Sequence, residues 1–156
     1  MREIQETFWS PKPYNSAFAI LTDGYVKKNG EAVLGRGIGL EARRRFPGLA
    51  KRLGKKLINQ GRIPGNAGID LGVGNHVTIV YGPKPWIATF PFKWVFFENA
   101  DLQLIERSAY ELIKLADNAR LKNIYLPPIG DGHEWAEVRE ILCPIFDDRF
   151  KICMRG

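Results

Sequence analysis

Gly35-Arg36-Gly37-Ile38-Gly39-Leu40-Glu41-Ala42 places three alternating glycines directly ahead of an apolar-periodic helix, just after a strand-like run. Glycine has no Cβ to hold a ligand away from the backbone and it admits positive φ. The first turn of a helix leaves N–H groups without intrahelical partners, backed by a partial positive charge. Together they offer bare N–H groups to a phosphate, so the expected ligand is anionic. Arg36 either adds a charge-assisted hydrogen bond or points to solvent, and the plain alternative for the whole stretch is a tight strand-to-helix turn. The chain lacks the Lys-Ser/Thr that closes a nucleoside triphosphate loop, and no acid follows where a Rossmann fold binds ribose. A phosphate site here is of another kind.

Outward from this stretch, strand-like runs fall at residues 4–9, 17–22, 77–81, 86–90, 123–127 and 149–153. Helical periodicity fills the gaps. Leu102, Ile105, Ala109, Leu112, Ile113 and Ala116 share one helix face that Asn99 or Asp101 would cap, and Trp135, Val138, Leu142 and Ile145 make another. Strands alternating with helices predict an α/β chain, a three-layer α/β/α sandwich around a mixed, largely parallel sheet. Ligands in such folds sit beyond the carboxyl ends of the strands, where the glycine stretch is expected. Residues 59–84 are the least readable part, and residues 61–68 look like a surface loop.

A length of 156 residues with 45% hydrophobic content suits a single domain over residues 1–156. No apolar run approaches the roughly eighteen residues of a membrane span, and the N-terminus reads as a strand rather than a signal peptide, so a cytoplasmic protein is expected. Cys143 and Cys153 have no metal-binding or disulfide spacing and are expected to be buried free thiols. With only His76 and His133 besides, neither a metal site nor a cofactor is expected. The formal charge of +6 comes largely from Arg43-Arg44-Arg45-Phe46-Pro47-Gly48-Leu49-Ala50-Lys51-Arg52-Leu53-Gly54-Lys55-Lys56. This segment either faces nucleic-acid phosphates or is a solvated helix face whose apolar side is Leu40, Leu49, Leu53 and Leu57.

A second glycine-bearing loop, Pro127-Pro128-Ile129-Gly130-Asp131-Gly132-His133-Glu134, leaves a strand and enters the last long helix at Trp135. Two such loops at one end of a sheet are placed to clasp the two phosphates of a pyrophosphate. Thr22-Asp23-Gly24, the stretch from Gly35 to Leu40, Phe90-Pro91-Phe92-Lys93 and the Pro-Pro-Ile-Gly-x-Gly loop together resemble the macro domain, an ADP-ribose-binding module. The resemblance is closest to the branch of terminal ADP-ribose glycohydrolases and antitoxins that strip ADP-ribose from DNA. Small stand-alone relatives, some from bacteriophages, are described as ADP-ribose 1''-phosphate phosphatases.

The resemblance implies roles at matching positions. Gly35, Arg36, Gly37, Ile38 and Gly39 would wrap one side of the diphosphate and distal ribose, and Ile129, Gly130 and Gly132 the other. Thr22, Asp23, Gly24, Phe90 and Pro91 would complete the ligand-binding set. Lys93 matches the lysine thought to attack the anomeric carbon of the distal ribose; its plain alternative is an exposed cation. Phe90, Phe92 and Trp94 would give that amine an apolar setting. Asp131 and His133 would face the distal ribose, where both residue types can move protons near neutral pH, or else serve as a capping residue and an ordinary loop histidine.

Three departures stand out. Asp23 replaces an asparagine, so a carboxylate that opposes phosphate stands where an amide would donate. Thr7 falls where an aspartate grips adenine, with Glu6 beside it. The loop from Gly130 to Glu134 is short. The function implied is an ADP-ribose-recognising hydrolase, acting on ADP-ribosyl adducts or on ADP-ribose 1''-phosphate. The alternatives are a non-catalytic reader or sponge of ADP-ribose or a cyclic relative, and a basic nucleic-acid-binding domain centred on the segment from Arg43 to Lys56. A monomer is the default expectation.

Overall fold

A computed structural model of the chain describes residues 1–66, 72–130 and 132–156. The elements, in order, are β1 (Arg2–Thr7), β2 (Ser16–Thr22), α1 (Gly37–Arg45), α2 (Leu49–Asn59), β3 (Ile79–Tyr81), β4 (Trp86–Pro91), α3 (Leu102–Ala119), β5 (Asn123–Leu126), α4 (Gly132–Leu142) and β6 (Phe150–Arg155). The strands form one sheet in the order β1-β6-β5-β2-β4-β3. Its pairings are parallel except for β3 against β4. Each predicted strand-like run has its strand, with ends shifted by a few residues.

Alternation along the strands builds the layers. Ala17 and Ala19 of β2, Ala88 and Phe90 of β4, and Ile124 and Leu126 of β5 face a core closed by Ile105, Ala109 and Leu112 of α3 and by Val138 and Leu142 of α4. Phe18 and Ile20 of β2, Ile87 of β4 and Tyr125 of β5 point the other way, onto Ala42 of α1 and Leu49, Leu53 and Leu57 of α2. A period of two in a strand with helices on both faces requires apolar residues at successive positions, which explains the unbroken apolar run of β2. The fold is the expected α/β/α sandwich.

Three local expectations change. The glycine stretch does not follow β2 directly: residues 23–36 intervene, with an isolated bridge between Val26 and Ala32. The basic segment is two helices rather than one. Pro47 disfavours helical geometry at Phe46, which sits at φ −124° and ψ 87°, and Gly48 turns the chain at φ 87° to begin α2. Cys153 is buried in β6 as expected, but Cys143 is exposed because α4 ends at Leu142 and the next residue leaves its buried face.

Asp101 caps α3, its Oδ1 accepting from the N–H groups of Gln103 and Leu104 at 3.0 and 3.1 Å. Its own N–H donates to the Phe92 carbonyl at 2.9 Å, so the start of α3 braces the segment that leaves β4. Among the described residues, no helix is long and apolar enough to cross a membrane.

Candidate functional site

A cleft of about 580 Å3 opens beyond the carboxyl ends of β2, β4 and β5. Thr22 and Asp23, the stretch from Gly35 to Gly39, Lys93 and Gly130 all line it. The contributing segments are distant in the chain, and backbone hydrogen bonds lock two of them together beneath the cleft. Phe92 N–H donates to the Thr22 carbonyl at 3.1 Å and Gly24 N–H to the Trp94 carbonyl at 3.0 Å. The Arg62 Nε donates to the Gly24 carbonyl at 2.9 Å, and the Asn75 Nδ2 to the Lys93 carbonyl at 3.2 Å. Gly24 leaves no room for a side chain: a Cβ would stand 3.0 Å from the Asn75 amide and from the Trp94 carbonyl. Gly24 is thus a buried strut of the cleft rather than part of its lining.

The first turn of α1 faces the cleft uncapped. Arg36 makes no capping hydrogen bond through its side chain, and the first turn holds no acid. Leu40 N–H donates to the Arg36 carbonyl at 3.0 Å and opens the helical ladder, so the N–H groups of Gly37, Ile38 and Gly39 precede it. Gly37 sits at φ +48°, where L side chains are strained.

Asp23 is buried at 7% exposure, and burial raises its pKa to about 7, against the pull of its hydrogen bond from the Tyr25 N–H and of the Lys93 and Arg62 charges. The Tyr25 bond measures 2.8 Å. Beside it the Thr22 hydroxyl is buried, with no hydrogen-bond partner among the described residues. The Lys93 Nζ donates to the Phe96 carbonyl at 3.1 Å and stands 5.0 Å from the centroid of the Phe92 ring. Trp94 is buried beside two guanidinium groups, those of Arg62 and Arg107, each 5.4 Å from its ring, and its Nε1 donates to Asp101 at 3.2 Å.

Other residues singled out from the sequence lie elsewhere. Phe90 and Ile129 are fully buried in the core. Pro91 is buried at the end of β4, its carbonyl accepting from the Ser108 hydroxyl at 2.6 Å. Gly132 and His133 are exposed in the first turn of α4 and do not line the cleft. Asp131 lies outside the described residues. His76 pairs with Glu111 at 2.8 Å.

Sequence reasoning did not single out Leu21, Val33, Leu34, Phe96 and Phe97 as lining residues, while Pro127 and Pro128 line the cleft as the start of the second glycine-bearing loop. Phe96 and Phe97 are large, exposed and packed edge to face, with ring centroids 5.2 Å apart. Two consecutive phenylalanines outside any periodic run were their one available signal.

A second cavity, of about 560 Å3, adjoins the first across Ile38, Pro127 and Pro128, which line both. Thr7, Glu41 and Arg45 face it, together with the end of β6. Glu6 instead pairs with Lys12 at 3.7 Å and does not line it.

No protein-family model and no curated protein matches the sequence. Solved structures do match. The macrodomain of Mycobacterium tuberculosis DarG aligns with a TM-score of 0.72 at 19% identity, over 99% of this chain and 97% of that one. The macrodomain of Thermus aquaticus DarG aligns with 0.69 at 19%, over the same shares. Thermosipho africanus DarTG in complex with ADP-ribose aligns with 0.59 at 16%, over 90% of this chain and 38% of that one. With its mixed six-stranded sheet, its helices on both faces and its near full-length match to these structures, this chain has the macro-domain fold.

Proposed function

We propose that the chain binds an ADP-ribosyl adduct across the two adjoining cavities and hydrolyses it. The observation that carries this reading is the convergence of the uncapped, glycine-rich start of α1, the unpartnered Thr22 hydroxyl and the Lys93 amine on one cleft. In this reading the diphosphate lies on the N–H groups of Gly37, Ile38 and Gly39, where the helix dipole and the positive field of the chain favour it. The adenosine end takes the cavity of Thr7 and Glu41, and the distal ribose lies between Thr22, Asp23 and Lys93. The solved complex of Thermosipho africanus DarTG with ADP-ribose supports the ligand class.

The chemistry follows from Lys93. Its ammonium first loses a proton, which Asp23 can accept because its pKa of about 7 matches the working pH. The amine then forms a bond to C1'' of the distal ribose as the bond from C1'' to the carrier breaks, and Asp131 supplies the proton that the leaving group needs. Ring opening gives an imine, and water hydrolyses it to free ADP-ribose and the lysine amine. The alternative phosphatase route asks His133 to act at the distal ribose, and its exposed place outside the cleft weighs against that.

A second reading, a reader or sponge that binds without turnover, draws on the Lys93 Nζ being tied to the Phe96 carbonyl and on Asp23 standing near the diphosphate. Calorimetric titration with ADP-ribose, with AMP and ribose 5-phosphate as partial ligands, tests both. One-to-one binding that needs the intact molecule, followed by turnover that Lys93→Ala or Asp131→Ala abolishes while affinity holds, is the result expected of the hydrolase. Binding without turnover leaves the reader, and no binding of ADP-ribose at millimolar concentration overturns both.

A further inference from the structure

Apart from Arg45, which also faces the second cavity, the cations of α1 and α2 form a surface that neither the cleft nor its adjoining cavity uses. Arg43, Arg44 and Arg45 close α1, and Lys51, Arg52, Lys55 and Lys56 stud α2, all of them exposed. Residues 42 to 69 contain no acid at all. Among the described residues none of these cations has an ion-pair partner. A merely solvated face mixes both signs, because unrelieved like charge repels itself.

Aromatic rings underlie this surface from one end to the other. The Arg45 guanidinium lies 4.9 Å from the Trp9 ring, Trp9 is 5.9 Å from Phe46, Phe46 is 4.8 Å from Tyr81, and Arg52 is 5.5 Å from Tyr81. The cations are thereby carried to a groove of about 610 Å3 between α2 and the edge strand β3. Arg52, Lys55, Lys56 and Asn59 line one side of it, and Tyr81, Gly82 and Trp86 the other. The half-buried Trp86 indole lies so close over Gly82 that a Cβ there would stand 2.0 Å from its Cε3. Trp86 begins β4, so the groove is at the opposite end of the sheet from the cleft.

The geometry points to a second binding surface, separate from the cleft: a basic track along α1 and α2 that holds the phosphates of single-stranded nucleic acid, with the groove taking a base against Trp86. A run of cations without ion-pair partners suits the phosphates of a flexible strand, and the part of Trp86 that lines the groove offers apolar contact to an unpaired base, which a duplex, with its bases paired inward, does not present. A lipid surface fits less well, because Ile58 is the one large exposed hydrophobic side chain on α1 and α2. The inference does not depend on the reading of the cleft.

The test is fluorescence anisotropy with unmodified dT and rU oligonucleotides of about fifteen nucleotides, titrated at several salt concentrations. Log K should fall against log salt with a slope between about −2, roughly fourfold per doubling of salt, where only Arg52, Lys55 and Lys56 are engaged, and about −5 where the whole track is. Lys55→Glu combined with Lys56→Glu should weaken binding at least tenfold while leaving the melting temperature and ADP-ribose titration unchanged. Trp86→Phe should reduce the quenching of tryptophan emission that the oligonucleotide produces, Trp9 beneath Arg45 accounting for any remainder. Binding unaffected by the charge reversal, binding to vesicles of anionic lipid without binding to either oligonucleotide, or no binding at low salt would each overturn the proposal.

Discussion

The Lys93 ammonium donates to the carbonyl of Phe96 three residues on, at 3.1 Å, and this one bond holds the amine of the cleft in a short loop whose next residues are exposed aromatics. In the proposed hydrolase, attack at C1'' would require that bond to break and the amine to turn toward the ribose. Ligand binding and the departure of Lys93 from Phe96 are therefore coupled in the hydrolase reading.

Lys93→Ala should lower turnover of an ADP-ribosylated substrate by at least about a hundredfold with little change in affinity, since it removes a group that acts in bond making. Lys93→Arg should fail equally, because a guanidinium that stays protonated forms no imine. Reduction with cyanoborohydride during turnover should attach the sugar to wild type and to neither variant, as read by intact mass. Retention of turnover by Lys93→Arg would leave the amine without its role.

Asp23 is expected to make folding, and in the proposed reading ligand binding, depend on pH. Burial raises its folded-state pKa from 3.8 to about 7, so between these values the folded state holds a proton that the unfolded state has released. Stability from this group is fully present below about pH 4 and falls as pH rises toward 7. Asp23→Asn should flatten that slope and stabilise the protein at pH 8 by a few kcal/mol at most, taking roughly 1.4 kcal/mol per pKa unit as the upper scale. ADP-ribose affinity of wild type should weaken from pH 6 to 8 as the carboxylate charges beside the diphosphate, and Asp23→Asn should remove the trend. Chemical denaturation and calorimetry across that range read both.

Thr22→Val probes the unpartnered hydroxyl. Its Oγ1 is buried without a hydrogen bond among the described residues, so an isosteric methyl should leave stability unchanged or raise it by up to about 1 kcal/mol. ADP-ribose affinity should fall about five- to tenfold as a ribose hydroxyl loses its partner. A parallel loss of stability and affinity would mean that the hydroxyl serves the fold instead.

Gly37→Val and Gly54→Ala separate ligand space from packing space. A Cβ at Gly37 meets no atom within 4 Å, so the variant should keep its fold at a cost of about 1–2 kcal/mol for its positive φ and lose diphosphate binding. A Cβ at Gly54 would stand 1.9 Å from the Gly30 carbonyl oxygen, so even alanine should cost more than about 2 kcal/mol through displacement of α2. Melting curves and ADP-ribose titrations of the two variants should therefore fail in opposite columns.

What the sequence determined by itself is local. The apolar alternation of Phe18, Ala19 and Ile20, the helical spacing of Ile105, Ala109 and Leu112, and the glycines before Leu40 mark the strands, the helix faces and the glycine stretch, because side-chain periodicity and turn chemistry depend on near neighbours alone. Tertiary structure decided that β6 lies between β1 and β5 and that Thr22 and Lys93 share a wall. It also placed Phe96 and Phe97 in the cleft, and His133 outside it. The Asp23 carboxyl shows the limit most sharply: as a residue in a sequence it is a charge set against phosphate, and in the fold it is a group that titrates near neutrality. Desolvation and strand pairing are set by residues far away in the chain, and no periodicity around a residue records who those will be.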